Sequence, residues 1–301
     1  MSAVLTASAA ESPLRRLISD FFASKIATVS FIILLLLCLV ALIAPWIAPQ
    51  NPYDLASLDV LNSRLPPGGQ TMDGSMTFLL GTDAQGRDML SAILYGIRIS
   101  IVVGTLSTVI ALVIGLSLGL FAGYFGGRMD ALIMRIADIQ LSFPPILIAL
   151  ILLAISGQGV GKIIVALIAV QWAYYARTAR SAAMVERRRE YIEAAIALGL
   201  EPARIIFRHL LPNCLPPLIV IAALQVASAI SLEATLSFLG LGLPVTEPSL
   251  GLLIANGFQF LLSGDYWISV FPGLALLVTI IVINLTADHL RDVLNPRLQV
   301  Q

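Results

Sequence analysis

A chain of 301 residues that is 58% hydrophobic and only 12% charged, with a mean hydropathy of +0.93, cannot present a normal globular surface to water. Lysine plus arginine equals aspartate plus glutamate at 18 each, so no charge excess points to nucleic acid or to an acidic substrate. The lipid bilayer is the first partner the composition implies. Cys38 and Cys214 lie at or inside apolar runs without CxxC spacing, and His209 and His289 lack ligand-spaced neighbours. Disulfide, metal and nucleophile–base chemistry therefore find no constellation, and neither a catalytic residue nor a cofactor is expected in this chain.

A spanning helix needs about 20 mainly apolar residues, and six stretches qualify: 26–47, 99–123, 135–156, 162–184, 214–238 and 268–287. The expected fold is an all-α integral membrane protein with six transmembrane helices. Residues 1–25 form an N-terminal tail carrying Arg15, Arg16 and Lys25. The run that follows is too long for a secretory h-region and stops at Pro45 and Pro49, so 26–48 reads as an uncleaved first span.

Residues 49–98, rich in Pro, Gly and Asp, lead into helix 2 and are long for a plain connector. Within "LLGTDAQGRDML" (79–90), Thr82 and Asp83 are placed to cap a helix running toward Tyr95. A structural lead-in is the first reading of this segment. The second makes Asp83, Gly86, Arg87 and Asp88 a contact surface for an external partner.

Residues 99–288 form a core of five further spans. Gly115, Gly119 and Gly123 in helix 2 recur every four residues, a spacing that lets helix backbones approach closely. Pro144 and Pro145 should kink or break helix 3, which makes them candidates for a gate or path. "SGQGVGKI" (156–163) imitates a phosphate loop but lacks Walker spacing at Ser156 and Ile163, and reads as a tight turn. Glu233 is the one carboxylate well inside a predicted span, so it stands as either a path residue or a buried structural bond. "SLGLLIANGFQFLLSG" (249–264) is too short to span and reads as an interfacial or re-entrant helix.

Six spans put both termini on one side. Of the 18 basic residues, Arg64, Arg87, Arg98 and Lys162 fall on one face, and the other 14 lie in the tails, near 128–135 or across 177–208. The positive-inside rule makes that second face cytoplasmic, including the C-terminal tail 289–301, and Trp46 and Trp267 fall where an outer aromatic belt is expected.

The segment 186–213 is more polar than its surroundings. Helix formers run from Glu190 to Leu198, Gly199 offers a left-handed stop, and Pro202 suits the first turn of a second helix. On that helix Ala203, Ile206, Phe207 and Leu210 share one face, with Arg204 and Arg208 on another. Such a pair suits docking into a groove on a soluble partner better than it suits a mere connector.

"EAAIALG" followed by "HLLP" resembles the EAA loop of membrane subunits of bacterial ABC importers. Glu193, Ala194, Ala195, Gly199, Leu211 and Pro212 match its pattern, and His209 replaces its usual aliphatic residue. The stretches 79–100, 119–138, 233–242 and 290–298 are similar to the C-type membrane component of dipeptide, oligopeptide and nickel permeases. The resemblance implies a type I ABC importer transmembrane domain in the bacterial inner membrane, both termini cytoplasmic. It also implies a homologous B-type membrane subunit, two cytoplasmic ATPase subunits that bind ATP and magnesium, and an extracytoplasmic solute-binding protein. In that family the EAA helix docks in a cleft of the ATPase, so the coupling residues would be Glu193, Ala194, Ala195, Gly199, Arg204, Arg208, Leu211 and Pro212. Dipeptides or oligopeptides are the expected cargo, with nickel chelates, opines and glutathione-like solutes left open. An ion-coupled secondary transporter and a non-transporting scaffold are the rival readings.

Overall fold

In a bilayer no water satisfies the backbone, so a spanning segment must close its own hydrogen-bond ladder as a helix. The computed structural model describes residues 13–54 and 58–294. The expected tail ahead of residue 13 and the end of the 289–301 stretch lie outside the described residues. In chain order the helices are α1 (Pro13–Ala23), α2 (Lys25–Ile47), α3 (Met89–Phe125), α4 (Gly127–Leu141), α5 (Pro145–Ser156), α6 (Val160–Glu186), α7 (Glu190–Ala197), α8 (Pro202–Ile205), α9 (Leu211–Phe238), α10 (Leu250–Phe258) and α11 (Trp267–Leu294). A short antiparallel hairpin, β1 (Gly69–Gln70) and β2 (Thr77–Phe78), interrupts the long segment before α3, pairing Gly69 with Phe78.

Among the described residues, α2, α3, the continuous run 202–238 and α11 are long and apolar enough to cross a membrane. α4 and α5 pass the same test only together, and they meet at 91°. The predicted third span is thus a sharply broken pair and not one kinked helix. Pro144 lacks the N–H that would continue the ladder, and Pro145 takes the first position of α5, where a missing N–H costs nothing. α6 has 27 residues, enough for about 40 Å of helix, but Gln171, Arg177 and Arg180 lower its apolarity.

α3 runs unbroken from Met89 through the span predicted from 99, and its cap is Asp88 instead of the expected Thr82 or Asp83. Asp88 Oδ2 accepts from the Ser91 N–H at 2.8 Å and from the Ser91 hydroxyl at 2.6 Å. Asp83 is occupied by its own turn, where Oδ1 accepts from the N–H groups of Gln85 and Arg87. Thr82 donates to the Asn62 carbonyl at 2.5 Å.

The most extensive helix contact joins α3 to α6. A Cβ on Gly115 would lie 2.4 Å from the Trp172 carbonyl oxygen, and one on Gly119 2.4 Å from that of Ala176. One on Gly123 would meet the Ala183 Cβ at 2.7 Å. The facing residues are Ala176, Ala179 and Ala183, all buried, so small residues meet small residues along three turns. α4 is held to α6 by the ion pairs Asp130–Arg180 and Asp138–Arg177, and by Gln140 Nε2 donating to the Val170 carbonyl at 3.0 Å.

α10 has 9 residues, about 13 Å, and does not span. It packs so closely on α9 that a Cβ on Gly251 would stand 2.1 Å from the Ala234 carbonyl oxygen. Trp46 is exposed, as an interfacial belt requires. Trp267 is not: it is buried, and its Nε1 donates to the Thr82 carbonyl at 3.1 Å, tying the outer segment to α11.

Gly119→Val is expected to cost about 1–3 kcal/mol through overpacking, read as a lower melting temperature in detergent. Gly161→Ala, with open space around the added Cβ, should melt like the parent; equal loss in both would show that the contact carries no special weight.

Candidate functional site

The segment between α6 and α9 folds as the sequence predicts, with one shift of register. α7 runs to Ala197, Gly199 adopts φ +72°, and Pro202 opens α8. Residues Ile206–Leu210 then form a π-turn leading into α9. Because a π-turn holds more residues than an α-turn, the expected face is redistributed: Ile205, Ile206 and Leu210 are buried, whereas Phe207 is 68% exposed and Ala203 faces out.

The pair has two sides with different tasks. Ile192, Ala195, Ile205, Ile206 and Leu210 join Leu120, Tyr124 and Ala183 in one apolar cluster, so the loop is seated on the ends of α3 and α6. On the other side Ile196, Leu198 and Phe207 are exposed, Leu198 to 80%. Of the expected coupling residues, Glu193, Ala194, Gly199, Arg204, Arg208 and Pro212 are exposed, Ala195 is buried and Leu211 is half-buried. Charged groups beside large exposed apolar ones, on a backed helix pair, suit a docking face better than a lipid-facing one.

A hydrogen-bonded clip fixes this pair to both neighbouring helices. The Tyr191 hydroxyl donates to Glu186 Oε1 at 2.5 Å, and Asn213 Nδ2 donates to the Tyr191 oxygen at 3.0 Å and to the His209 carbonyl at 2.7 Å. Partial burial, then the adjacent Glu186 carboxylate, push the Tyr191 phenol up to about 12. It therefore stays protonated and donating at any physiological pH. Arg187 sits over the Tyr124 ring at 5.3 Å, anchoring the arginine triplet to α3.

The outer segment is arranged differently from the contact surface that its sequence suggests. Asp83, Gly86, Arg87 and Asp88 are all buried. Arg87 Nη2 donates to Gln85 Oε1 at 2.9 Å and to the Val245 carbonyl at 3.2 Å, with Asp83 at 3.8 Å from its Nε. Burial pushes the Asp83 carboxyl up and the Arg87 guanidinium down, each partly offset by the other's charge. These side chains hold the segment against the loop after α9, and any partner must contact other groups on it.

Glu233 is also internal, at 0% exposure. Its Oε1 accepts from the hydroxyls of Ser237 and Ser249, both at 2.8 Å, and its Oε2 from Ser100 at 3.3 Å. It binds α9 to α3 and to the start of α10, and does not line the nearby cavity. That cavity, about 500 Å³ and open, lies between α5, α6, α9 and α11 and is reached by Pro145 but not by Pro144. Gln171, Gln225, Ser231, Thr235 and Asn284 line it. None of the five stood out in the sequence, although Gln225, Ser228 and Thr235 share one face of α9 with Leu232 between them, a mostly polar seam in an apolar span.

Removing the Glu233 carboxylate strands three buried hydroxyls. Glu233→Ala should lower stability by about 2 kcal/mol in a melt of the purified protein; an unchanged melt with transport abolished would return Glu233 to the path.

Comparison with known proteins follows the same division of parts. Residues 115–300 match the family model described as the binding-protein-dependent transport system inner membrane component. Residues 12–67 match that of the N-terminal transmembrane domain of oligopeptide transport permease C. The chain is 42% identical to the dipeptide transport system permease protein DppC of Escherichia coli K12, over 98% of this chain and 97% of that one. It is 38% identical to the di/tripeptide transport system permease protein DppC of Pseudomonas aeruginosa UCBPP-PA14, over 96% and 93%. Among solved structures, an inward-facing form of the MetNI methionine ABC transporter superposes with a TM-score of 0.56 at 21% identity, covering 69% of this chain and 98% of that one.

Proposed function

The chain belongs to the family of binding-protein-dependent transport system inner membrane components, and from that premise we propose that it carries dipeptides or oligopeptides inward as one membrane subunit of an ATP-driven complex. It is a multi-pass permease subunit of the ABC importer class. Peptide cargo is supported by relatives named for dipeptides and di/tripeptides that align over nearly the whole chain.

The observation that carries the coupling reading is the two-sided helical pair. Its exposed apolar and charged face takes a cleft on an ATPase partner, while its buried face is continuous with α3 and α6. A push on Leu198 or Phe207 therefore reaches the membrane helices through packed side chains instead of a slack loop. ATP and magnesium belong to two cytoplasmic partner subunits. A B-type permease completes the path, and an outer solute-binding protein delivers the cargo. On this reading the spans are α2, α3, the α4–α5 pair, α6, α9 and α11, with α7 and both chain ends cytoplasmic. ATP-bound and ATP-free ATPase must hold the docked pair differently, because a partner that binds both states equally shifts nothing.

The ion-coupled alternative draws no support from the carboxylates. Asp138 is paired with Arg177, and Glu233 is spent on three hydroxyls.

Reversing the charge at Glu193 tests the coupling. Glu193→Lys should leave membrane insertion and folding intact, because the side chain is exposed, while ATP-dependent peptide uptake in proteoliposomes falls at least about tenfold, the loss of one charged docking contact. Uptake at the parent rate would contradict it.

A further inference from the structure

We infer that the cavity between α5, α6, α9 and α11 is a transit site that recognises the uncharged amide groups of a solute, the peptide bond itself. The inference rests on the importer reading and adds to it a place in this chain where cargo is held.

Three side-chain amides carry the argument. Gln171 is only 3% exposed, yet it lines the cavity. Its Oε1 accepts from the Thr108 hydroxyl at 3.2 Å, and its Nε2 has no acceptor among the described residues. Gln171 therefore keeps a donor free at the cavity wall. Gln225 on α9 and Asn284 on α11 line the same space, and their side chains also make no hydrogen bond to the described residues. Beside them the Thr235 hydroxyl donates back to the Ser231 carbonyl at 2.8 Å, which leaves its oxygen lone pairs open to the cavity.

Four occupants are conceivable, and the chemistry separates them. Lipid chains would leave every amide unsatisfied at a cost of several kcal/mol each. A partner's transmembrane helix has spent its own backbone groups internally, and a concave hollow suits it poorly. An inorganic ion would need formal charge nearby, and no charged side chain lines the site. A solute with alternating neutral donors and acceptors fits all three amides, each of which offers both. Water fills the space between turnovers and is displaced by groups that reproduce its hydrogen bonds.

A site built this way holds the peptide bond and disregards side-chain charge, so it passes a class of peptides instead of one member. The test uses the full complex in proteoliposomes, with partner permease, ATPases and binding protein, and radiolabelled dialanine. Gln225→Leu with Asn284→Leu is expected to lower dialanine imported per ATP hydrolysed about tenfold, with ATP hydrolysis still stimulated by the binding protein. Neither residue bonds to the described chain, so the fold does not depend on them. Asn284→Asp should favour lysyl-alanine over glutamyl-alanine several-fold, where the parent treats them alike. Parent-like import by the double variant, or an unchanged charge preference in Asn284→Asp, overturns the site. A parent complex that imports no peptide under ATP removes the importer reading, and the site with it.

Discussion

The contact between α3 and α6 is the constraint on which the other parts depend. With Gly115, Gly119 and Gly123 on one helix and Ala176, Ala179 and Ala183 on the other, the two backbones approach as closely as side chains allow. Lipid supplies no hydrophobic drive between helices, so this packing is what holds them. It also fixes the rotation of α6. One face then meets α3, Gln171 turns to the cavity, and Arg177 and Arg180 reach the carboxylates of α4.

Both ends of the bundle are locked, by different chemistry. At one end the apolar cluster from Leu120 to Cys214 joins the α7–α8 pair to the membrane helices, and the Glu186–Tyr191–Asn213 clip fixes its angle. At the other end Glu233, Trp267 and Arg87 stitch α9, α11 and the outer segment together with buried hydrogen bonds. Between them lies a hollow whose amides keep donors open, Gln171 spending only its oxygen, on Thr108. On the coupling proposed above, movement of the docked pair would reach that hollow through α6.

Much of this was legible in the sequence, and the exceptions have physical reasons. Apolar runs announce spans because a bilayer demands about 20 such residues, and Gly199 and Pro202 announce a stop and a start because few residues tolerate those backbone angles. The glycine spacing in α3 announces a close helix contact because only small residues let two backbones meet. The direction of Phe207 was hidden, because a π-turn breaks the 3.6-residue period on which the expected face relied. Thr82 and Trp267 were misread because their partners, Asn62 and the Thr82 carbonyl, are distant in sequence, and Asp83 because its own tight turn takes up its carboxylate. The α4–α5 junction was foreseen as a kink or a break at Pro144 and Pro145, but local sequence does not set its 91° angle. The polar seam on α9 escaped notice because hydropathy averages over a whole span and hides one polar face.

If the buried seat of the docking pair transmits force, the pair and the α3–α6 contact move as one body. Spin labels at Ala197 and Ser117, both exposed, would measure it in the assembled complex by their separation in nucleotide-free and ATP-trapped states. An unchanged separation, with a label at Ser228 reporting a changed cavity, is the predicted result. A separation that shifts between the two states while the cavity stays constant would show that the loop slips on its seat, and would contradict the coupling.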